Sequence, residues 1–151
     1  MRSADAIFVP AGQGLRHNIL GTTHITKVSP QDDKAAFLAL EITMPPRSGP
    51  PMHRHAQDSE SFYVLDGEIH FSTPDGETIG RAGDFVYLPA GGAHGFCNKG
   101  DVPARALVVV SPGVAAHDFF SEIDHRLQGE IVPEVVGETA ARHGIAFVQP
   151  A

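Results

Sequence analysis

Residues 50–67 read PPMHRHAQDSESFYVLDG, with two histidines one residue apart, just ahead of a glutamate and an apolar run. Residues two apart lie on one face of a β-strand but on different faces of a helix, so His53 and His55 act together only on a strand. Glu60 follows His55 at an odd spacing, and a turn at residues 56–59 (AQDS) is needed to bring it back beside the histidines on an antiparallel neighbour. The stretch therefore predicts two short strands that present two imidazoles and one carboxylate on the same side.

A second stretch, GDFVYLPAGGAHGFCN at residues 83–98, supplies a further imidazole. The run DFVYL ends at Pro89, AGGA indicates a turn, and His94 opens the next predicted strand. Phe96 shares the face of His94, whereas Cys97 has the opposite parity and is expected to point away. Buried imidazoles and carboxylates are costly without partners, and a divalent metal that takes all of them as ligands removes that cost. The predicted metal ligands are His53, His55, Glu60 and His94.

The composition is that of an ordinary globular protein of 151 residues and 16.1 kDa. This length fits one domain, expected to span residues 1–151. The net charge is −7, whereas proteins that bind nucleic acids usually carry a positively charged surface that contacts the phosphates. No nucleic-acid partner is therefore expected. No apolar run approaches the roughly 20 residues that cross a bilayer, and no secretory signal is visible at the N-terminus. We therefore expect no membrane partner and a cytoplasmic location.

Glycine and proline separate short runs of β-branched and aromatic residues, a pattern typical of all-β folds. The predicted strands are AIFV, HITKV, AAFLALEITM, SFYVLD, EIHFST, ETIGR, DFVYL, HGFCN and ARALVVVS. Such strands predict a sandwich or barrel, with a β-barrel core at about residues 20–112.

The apolar period becomes helical after the last of these strands. Two helices are expected within about residues 114–144, the first ended by Gly129 and the second by Gly144. The predicted apolar face of the first helix consists of Ala116, Phe119, Phe120, Ile123 and Leu127. We expect both helices to pack on the β-barrel as an appendage.

The two stretches also carry a family resemblance. Residues 53–67 read H-x-H-x4-E-x6-G and residues 83–98 read G-x5-P-x-G-x2-H-x3-N, which resemble the two motifs of the cupin superfamily. The leading glycine of the first motif is replaced here by Arg47. The resemblance implies a double-stranded β-helix, or jelly-roll barrel, that holds one metal through His53, His55, Glu60 and His94. It also implies a homodimer, the usual state of small cupins.

Three classes of function fit such a site. Three imidazoles and one carboxylate leave a net positive site with open positions for an enolate, a carboxylate or dioxygen, and Fe, Mn, Ni, Co, Cu and Zn all accept these ligands. The wider chain is similar to cupins often labelled quercetin-dioxygenase-like, which favours a dioxygenase acting on an enolic or phenolic, flavonol- or polyketide-like small molecule. Glu60 would then serve as metal ligand and as catalytic base. The alternatives are a non-redox isomerase, lyase or cyclase, and a non-catalytic small-molecule-binding protein.

The substrate pocket is expected to be apolar. Its candidate lining residues are Met44, Phe62, Phe96 and either Phe119 or Phe120, although apolar side chains also fill the core of small barrels. Arg47 either meets an anionic substrate at the mouth of the pocket or lies solvated in its loop.

The remaining histidines are expected to have surface or ordinary polar roles. They are His17, His24, His70, His117, His125 and His143. His70 lies closest to the predicted site, on the strand EIHFST.

Overall fold

The structure is a computed structural model that describes residues 1–148. Over these residues the chain forms eleven strands and three helices. In chain order they are β1 Leu15–Ile19, β2 Thr22–Val28, α1 Pro30–Asp33, β3 Leu38–Met44, β4 His53–His55, β5 Ser59–Asp66, β6 Glu68–Thr73, β7 Gly76–Arg81, β8 Phe85–Leu88, β9 Gly95–Cys97, β10 Ala104–Ser111, α2 Val114–Leu127, α3 Pro133–Arg142 and β11 Ile145–Phe147.

The strands form a jelly-roll barrel. The largest sheet has the order β1-β2-β3-β10-β5-β8, a three-stranded sheet has the order β7-β6-β9, and β11 pairs with β4. Aromatic side chains join the first two sheets, because the ring of Phe62 on β5 lies 5.2 Å from that of Phe71 on β6 and 4.8 Å from that of Phe96 on β9. The predicted all-β jelly roll with a C-terminal helical appendage is confirmed.

Strict alternation builds the core. Burial alternates along β3 and β10, so every second side chain points into the barrel. The inward residues of β3 are Leu38, Leu40, Ile42 and Met44, and those of β10 are Ala104, Ala106, Val108 and Val110. Removal of this apolar surface from water is the main stabilising contribution of the two strands, at roughly 25 cal/mol per Å².

The C-terminal helices pack on the barrel as predicted. Helix α2 buries Ala116, Phe119, Phe120 and Ile123, while Leu127 is partly buried against the same core. Helix α3 ends at Arg142, and Gly144 follows with the positive φ of 72° that glycine adopts without strain. Among the described helices, none is long and apolar enough to cross a membrane.

Some local predictions were wrong. The run AIFV does not form a strand, since Ile7 makes only a single bridge to Arg2 and Phe8 is 61% exposed. Strands β1 and β11 and the short helix α1 were not predicted. Strand β1 forms as a hairpin with the neighbouring strand β2, and β11 forms because a distant partner, β4, is available.

Arg47, which stands where the first motif has glycine, adopts a backbone conformation that favours glycine. Its φ is 63°, in the left-handed region that non-glycine residues rarely adopt. The backbone N–H of Arg47 donates to the carbonyl of Asn98, and its guanidinium donates to the carbonyl of Lys99 (2.8 Å) and to the Asp101 carboxylate (2.7 Å). These bonds hold the loop in a conformation that the side chain alone disfavours.

Candidate metal centre

Four side chains from three segments converge inside the barrel. His53 and His55 lie on β4, Glu60 on β5, and His94 immediately before β9. All four are buried, and one donor atom from each lies within 4.8 Å of the others. The structure therefore brings together all four residues that the sequence proposed as metal ligands.

Glu60 lies between two of the imidazoles. Its Oε1 is 3.3 Å from Nε2 of His55, and its Oε2 is 3.1 Å from Nε2 of His94. Burial by itself would raise the pKa of Glu60, but His55, His94 and His53 around the carboxylate lower it to about 2. Burial lowers the pKa of His53 to about 4, against the opposing effect of Glu60. The site therefore presents an ionised carboxylate and a neutral imidazole at His53 near pH 7.

The orientation of His53 is fixed by the backbone. Its Nδ1 lies 2.9 Å from the carbonyl oxygen of Pro51, and because a carbonyl only accepts, Nδ1 carries the proton. Nε2 then keeps its lone pair for a metal, the arrangement that outer hydrogen bonds impose on metal-binding histidines. The backbones of His53 and His94 also form a β-bridge, with N–H to carbonyl distances of 2.7 and 2.9 Å. This bridge ties the two sequence motifs to each other.

The donor set fits a divalent transition metal. Imidazole nitrogens and carboxylate oxygens bind such ions at about 2.0–2.2 Å, so ligands on opposite sides of an ion lie about 4.2 Å apart. The spread of 4.8 Å among the four donors is within a few tenths of an ångström of that span. These ligand types do not distinguish Fe, Mn, Ni, Co, Cu and Zn.

Strand β11 supports the histidine strand from its outer edge. Ile145 pairs with His55 and Phe147 pairs with His53. The backbone ladder extends at both ends, where the N–H of Ala56 donates to the carbonyl of Gly144 (2.8 Å) and the N–H of Val148 donates to the carbonyl of Met52 (2.9 Å). The C-terminal segment therefore holds the backbone that carries two of the four candidate ligands.

A small apolar cavity adjoins the cluster. His53, His55 and Glu60 form part of its lining, and Phe119 and Phe120 of α2 and Phe147 of β11 also contribute to it. The volume of the cavity is about 50 Å³. It therefore has room for at least a few waters or for a small ligand.

The structure places only some of the predicted pocket residues at this cavity. Phe62, Phe96 and both Phe119 and Phe120 line it. Met44 is fully buried at the end of β3, where its carbonyl accepts from Asn98, and the cavity is lined instead by Leu40 and Ile42 of that strand.

Arg47 is also absent from the cavity lining. Its guanidinium is held by Lys99 and Asp101 at the exposed surface, and its side chain remains 68% exposed. The placement of Arg47 agrees with the alternative of a solvated loop arginine.

One cavity residue was missed by the sequence analysis. His24 on β2 is only 5% exposed and lines the cavity together with Glu60. His17 and His117 are also buried, so of the two roles expected for the remaining histidines, surface or ordinary polar, these three do not have a surface position. His70 lies away from the cluster, with its Nδ1 2.9 Å from Oε1 of Glu77.

Comparisons with known proteins agree with this geometry. Residues 40–110 match the Cupin_2 family model, described as a cupin domain. An oxalate-binding protein from Thermotoga maritima is 28% identical over 87 residues, which cover 58% of this chain and 71% of the relative. Germin-like protein 1 from Brassica napus is 28% identical over 131 residues, covering 79% of this chain and 63% of the relative, so this chain spans less than two thirds of that protein.

Solved structures share the fold. A predicted oxalate decarboxylase from Thermotoga maritima superposes with a TM-score of 0.62 at 21% identity, covering 69% of this chain and 97% of the other. The polyketide cyclase RemF from Streptomyces resistomycificus superposes with a TM-score of 0.63 at 24% identity, covering 70% and 78%. Residues 40–110 therefore resemble a cupin domain, and the chain has the cupin fold with a cluster suited to a divalent metal.

Proposed function

We propose that this protein is a metal-dependent enzyme whose single divalent transition metal is held by His53, His55, Glu60 and His94. The observation that carries the proposal is the position of this buried cluster on the lining of an apolar cavity. The metal would supply a Lewis-acidic centre with open positions for an anionic oxygen ligand.

The reaction we propose is a dioxygenase reaction on an enolic or phenolic compound. A metal held by these four residues would supply the Lewis-acid and redox chemistry that a reaction between an enolate and dioxygen requires. The phenylalanine side chains around the cavity exclude water from the reacting atoms, which strengthens every electrostatic interaction there.

Glu60 is the residue proposed to accept the substrate proton. Its carboxylate is ionised and buried, and it lies on the cavity lining. To act as a base it would first have to loosen from the metal, so that one of its oxygens is free to accept the proton. Transfer requires a distance of about 2.6–3.2 Å between the hydroxyl oxygen and a carboxylate oxygen. The proton would leave the enol or phenol for Glu60, and the resulting anion would be bound at the metal.

The size of the cavity favours a small substrate. A cavity volume of about 50 Å³ suits a short enol or organic acid better than a tricyclic flavonol or a polyketide. Phe119 and Phe120 line the cavity on the side of α2 and limit its extent in that direction.

A second candidate is a non-oxidative function with a small organic acid, either binding alone or isomerase, lyase or cyclase chemistry. Two observations favour it: the small cavity and the similarity to a protein described as oxalate-binding. A carboxylate would occupy the same open metal positions as an enolate.

Oxygen consumption separates the two candidates. Purified protein is analysed for metal, then supplied aerobically and anaerobically with a panel of small enols, phenols and dicarboxylates. The dioxygenase proposal expects product only in air, with dioxygen consumed in proportion to substrate. Product formed equally without oxygen indicates the non-redox reaction, and ligand-induced stabilisation without product indicates a binding protein.

The proposed homodimer is supported by an outer aromatic patch that consists of Tyr63, Phe85 and Tyr87. These side chains are 46%, 63% and 58% exposed, and they lie on the outer face of β5 and of β8, the edge strand of the six-stranded sheet. An exposed aromatic surface beside an unpaired strand edge is a feature that proteins usually cover. A second copy of this chain is the occupant we propose.

A further inference from the structure

His24 is a buried polar residue with no role in the metal cluster. It lies on β2 opposite Ile42 of β3, and its side chain faces the interior of the barrel. It lines the same small cavity as His53, His55 and Glu60. A ligand bound in this cavity therefore has the metal cluster and His24 on its boundary.

Neither ring nitrogen of His24 has a hydrogen-bond partner among residues 1–148. The nitrogens of buried His117 also have no hydrogen-bond partner among these residues, but they lie 3.5 Å from the Asp32 carboxylate and 3.8 Å from that of Asp118, whereas no carboxylate lies this close to the nitrogens of His24 in the described ion pairs. Buried polar groups without partners are uncommon, and each costs about 1–3 kcal/mol of desolvation. The His24 imidazole is therefore a donor and an acceptor available to whatever enters the cavity.

The ring of His24 is held in place by packing. The ring of Phe120 on α2 contacts it edge-on, with centroids 4.7 Å apart and an angle of 85° between the planes. Burial lowers the pKa of His24 to about 3, against a smaller raising effect of Glu60 and a further lowering effect of His17. The imidazole is therefore neutral near pH 7, so one nitrogen donates and the other accepts.

We propose that His24 binds the substrate by a hydrogen bond to an uncharged hydroxyl group that is separate from the group bound at the metal. This inference rests on the proposed function, since it requires a ligand anchored at the metal cluster. It defines the substrate class as a short molecule with an enolate or carboxylate at one end and a hydroxyl group elsewhere. A second carboxylate is excluded from this position, because a neutral imidazole in an apolar lining does not offset another buried negative charge.

His24 then confers specificity. A site built to hydrogen-bond a substrate hydroxyl rejects the analogue that lacks it, because the polar group of the protein is left unpaired in the complex. The apolar residues around the cavity accept any carbon chain that is short enough to fit. His24 in addition favours ligands that carry a hydroxyl group.

Two pairs of probes test this inference. Pyruvate is compared with hydroxypyruvate, and α-ketobutyrate with γ-hydroxy-α-ketobutyrate. The members of each pair differ only by a hydroxyl group, and the two hydroxyl groups lie at different distances from the carboxylate. Dissociation constants are measured by calorimetry on metal-loaded wild type, His24→Leu and His24→Gln, with metal content determined for each sample. We expect wild type to prefer the hydroxylated member of at least one pair by about tenfold, the value of one good hydrogen bond.

The two variants separate binding from structure. His24→Leu should lose the preference to within about twofold while keeping its metal, and its thermal midpoint should equal or exceed that of wild type because an unpaired polar group has been removed. His24→Gln retains a donor and an acceptor and should keep part of the preference. Equal affinities within both pairs for wild type, or an unchanged preference in His24→Leu, overturn the inference. Failure of all four probes to bind the metal-loaded protein contradicts the proposed function itself, and this inference with it.

Discussion

The carboxylate of Asp58 accepts a hydrogen bond of 3.0 Å from the backbone N–H of Ala116, in the first turn of α2. Its other oxygen accepts from the N–H of Gly113 at 2.8 Å. Gly113 occupies the N-cap position of α2 and has no side chain to cap the helix, so Asp58 supplies the cap from the turn between β4 and β5. The turn that separates the candidate ligands His55 and Glu60 is therefore hydrogen-bonded to the start of α2, the helix that lines one side of the cavity.

Replacement of Asp58 by alanine is expected to destabilise the protein by about 1–3 kcal/mol. The variant leaves two buried N–H groups at the start of α2 without an acceptor and removes a negative charge from the positive end of the helix dipole. Urea denaturation measures the loss. Asp75→Ala, in an exposed turn, is the matched control and should change the unfolding free energy by less than about 0.5 kcal/mol. Equal stability of the two variants would show that the cap is unimportant.

His94→Ala is expected to abolish or sharply reduce metal occupancy, which should be close to one ion per chain in wild type. His94 is the one proposed ligand outside the first motif, and its loss leaves Glu60 with a single facing imidazole nitrogen within 3.3 Å. Elemental analysis gives the occupancy. His70→Ala removes a histidine bonded to Glu77 outside the cluster and should keep full occupancy. A folded His94→Ala protein with a full complement of metal removes His94 from the site.

The stability of the metal-free protein is expected to fall as pH drops below about 6.5, and His24 is one cause. Burial lowers the pKa of His24 from 6.5 to about 3, so between these values the unfolded chain binds a proton that the folded chain does not. The stability from a neutral His24 is present above about pH 6.5 and is lost at up to about 1.4 kcal/mol per pH unit below it.

The variant His24→Leu isolates this contribution. Its unfolding free energy, measured in urea between about pH 7 and pH 5, should fall less steeply than that of wild type. Parallel pH profiles for the two proteins would mean that His24 does not titrate on unfolding in this range.

Glu60→Gln tests the proposed base. Glutamine keeps the size and one acceptor oxygen but removes the charge and the basicity. With metal restored by excess ion and checked by elemental analysis, the variant should bind substrate and turn it over at least about 100-fold more slowly, within the range that general-base catalysis contributes. Glu68→Gln, which alters an exposed carboxylate on β6, is the control. Near wild-type turnover by metal-loaded Glu60→Gln would leave the three histidines sufficient for the chemistry.

Light scattering is expected to give twice the chain mass of 16.1 kDa. Tyr87→Glu places a charge in the outer aromatic patch and should shift the protein toward monomer, because a desolvated carboxylate in an apolar interface is unfavourable. Glu77→Gln lies outside the patch and should leave the mass unchanged. A monomeric wild type over a broad concentration range would refute the dimer.

The barrel was predictable where burial alternates along a strand. In β3 and β10 every second position is apolar and buried, and this period specifies both the strand and its inward face. Strand β1, LRHNI, has no such alternation, and it forms at the edge of the sheet by pairing with β2. The run AIFV has the opposite property, since it is apolar but finds no strand partner.

The candidate ligands were predictable because residues two apart on a strand must share one face, which places His53 and His55 together. The role of His24 could not be predicted in this way. Thr22, His24 and Thr26 share one face of β2, and a polar face in sequence favours solvent. The structure buries this face instead, and Phe120, which covers His24, lies far along the chain on α2. Contacts between residues so distant in sequence leave no local pattern.

The pairing of β11 with β4 has a consequence for the order of events during synthesis. The ribosome releases the four candidate ligands, and the strands up to β10, before residues 145–147 emerge. Until then, the segment that carries His53 and His55 lacks the partner strand that holds its outer edge. A nascent chain halted after β10 should therefore bind metal more weakly than the released protein, and the proposed ion would be bound tightly only after β11 has been synthesised.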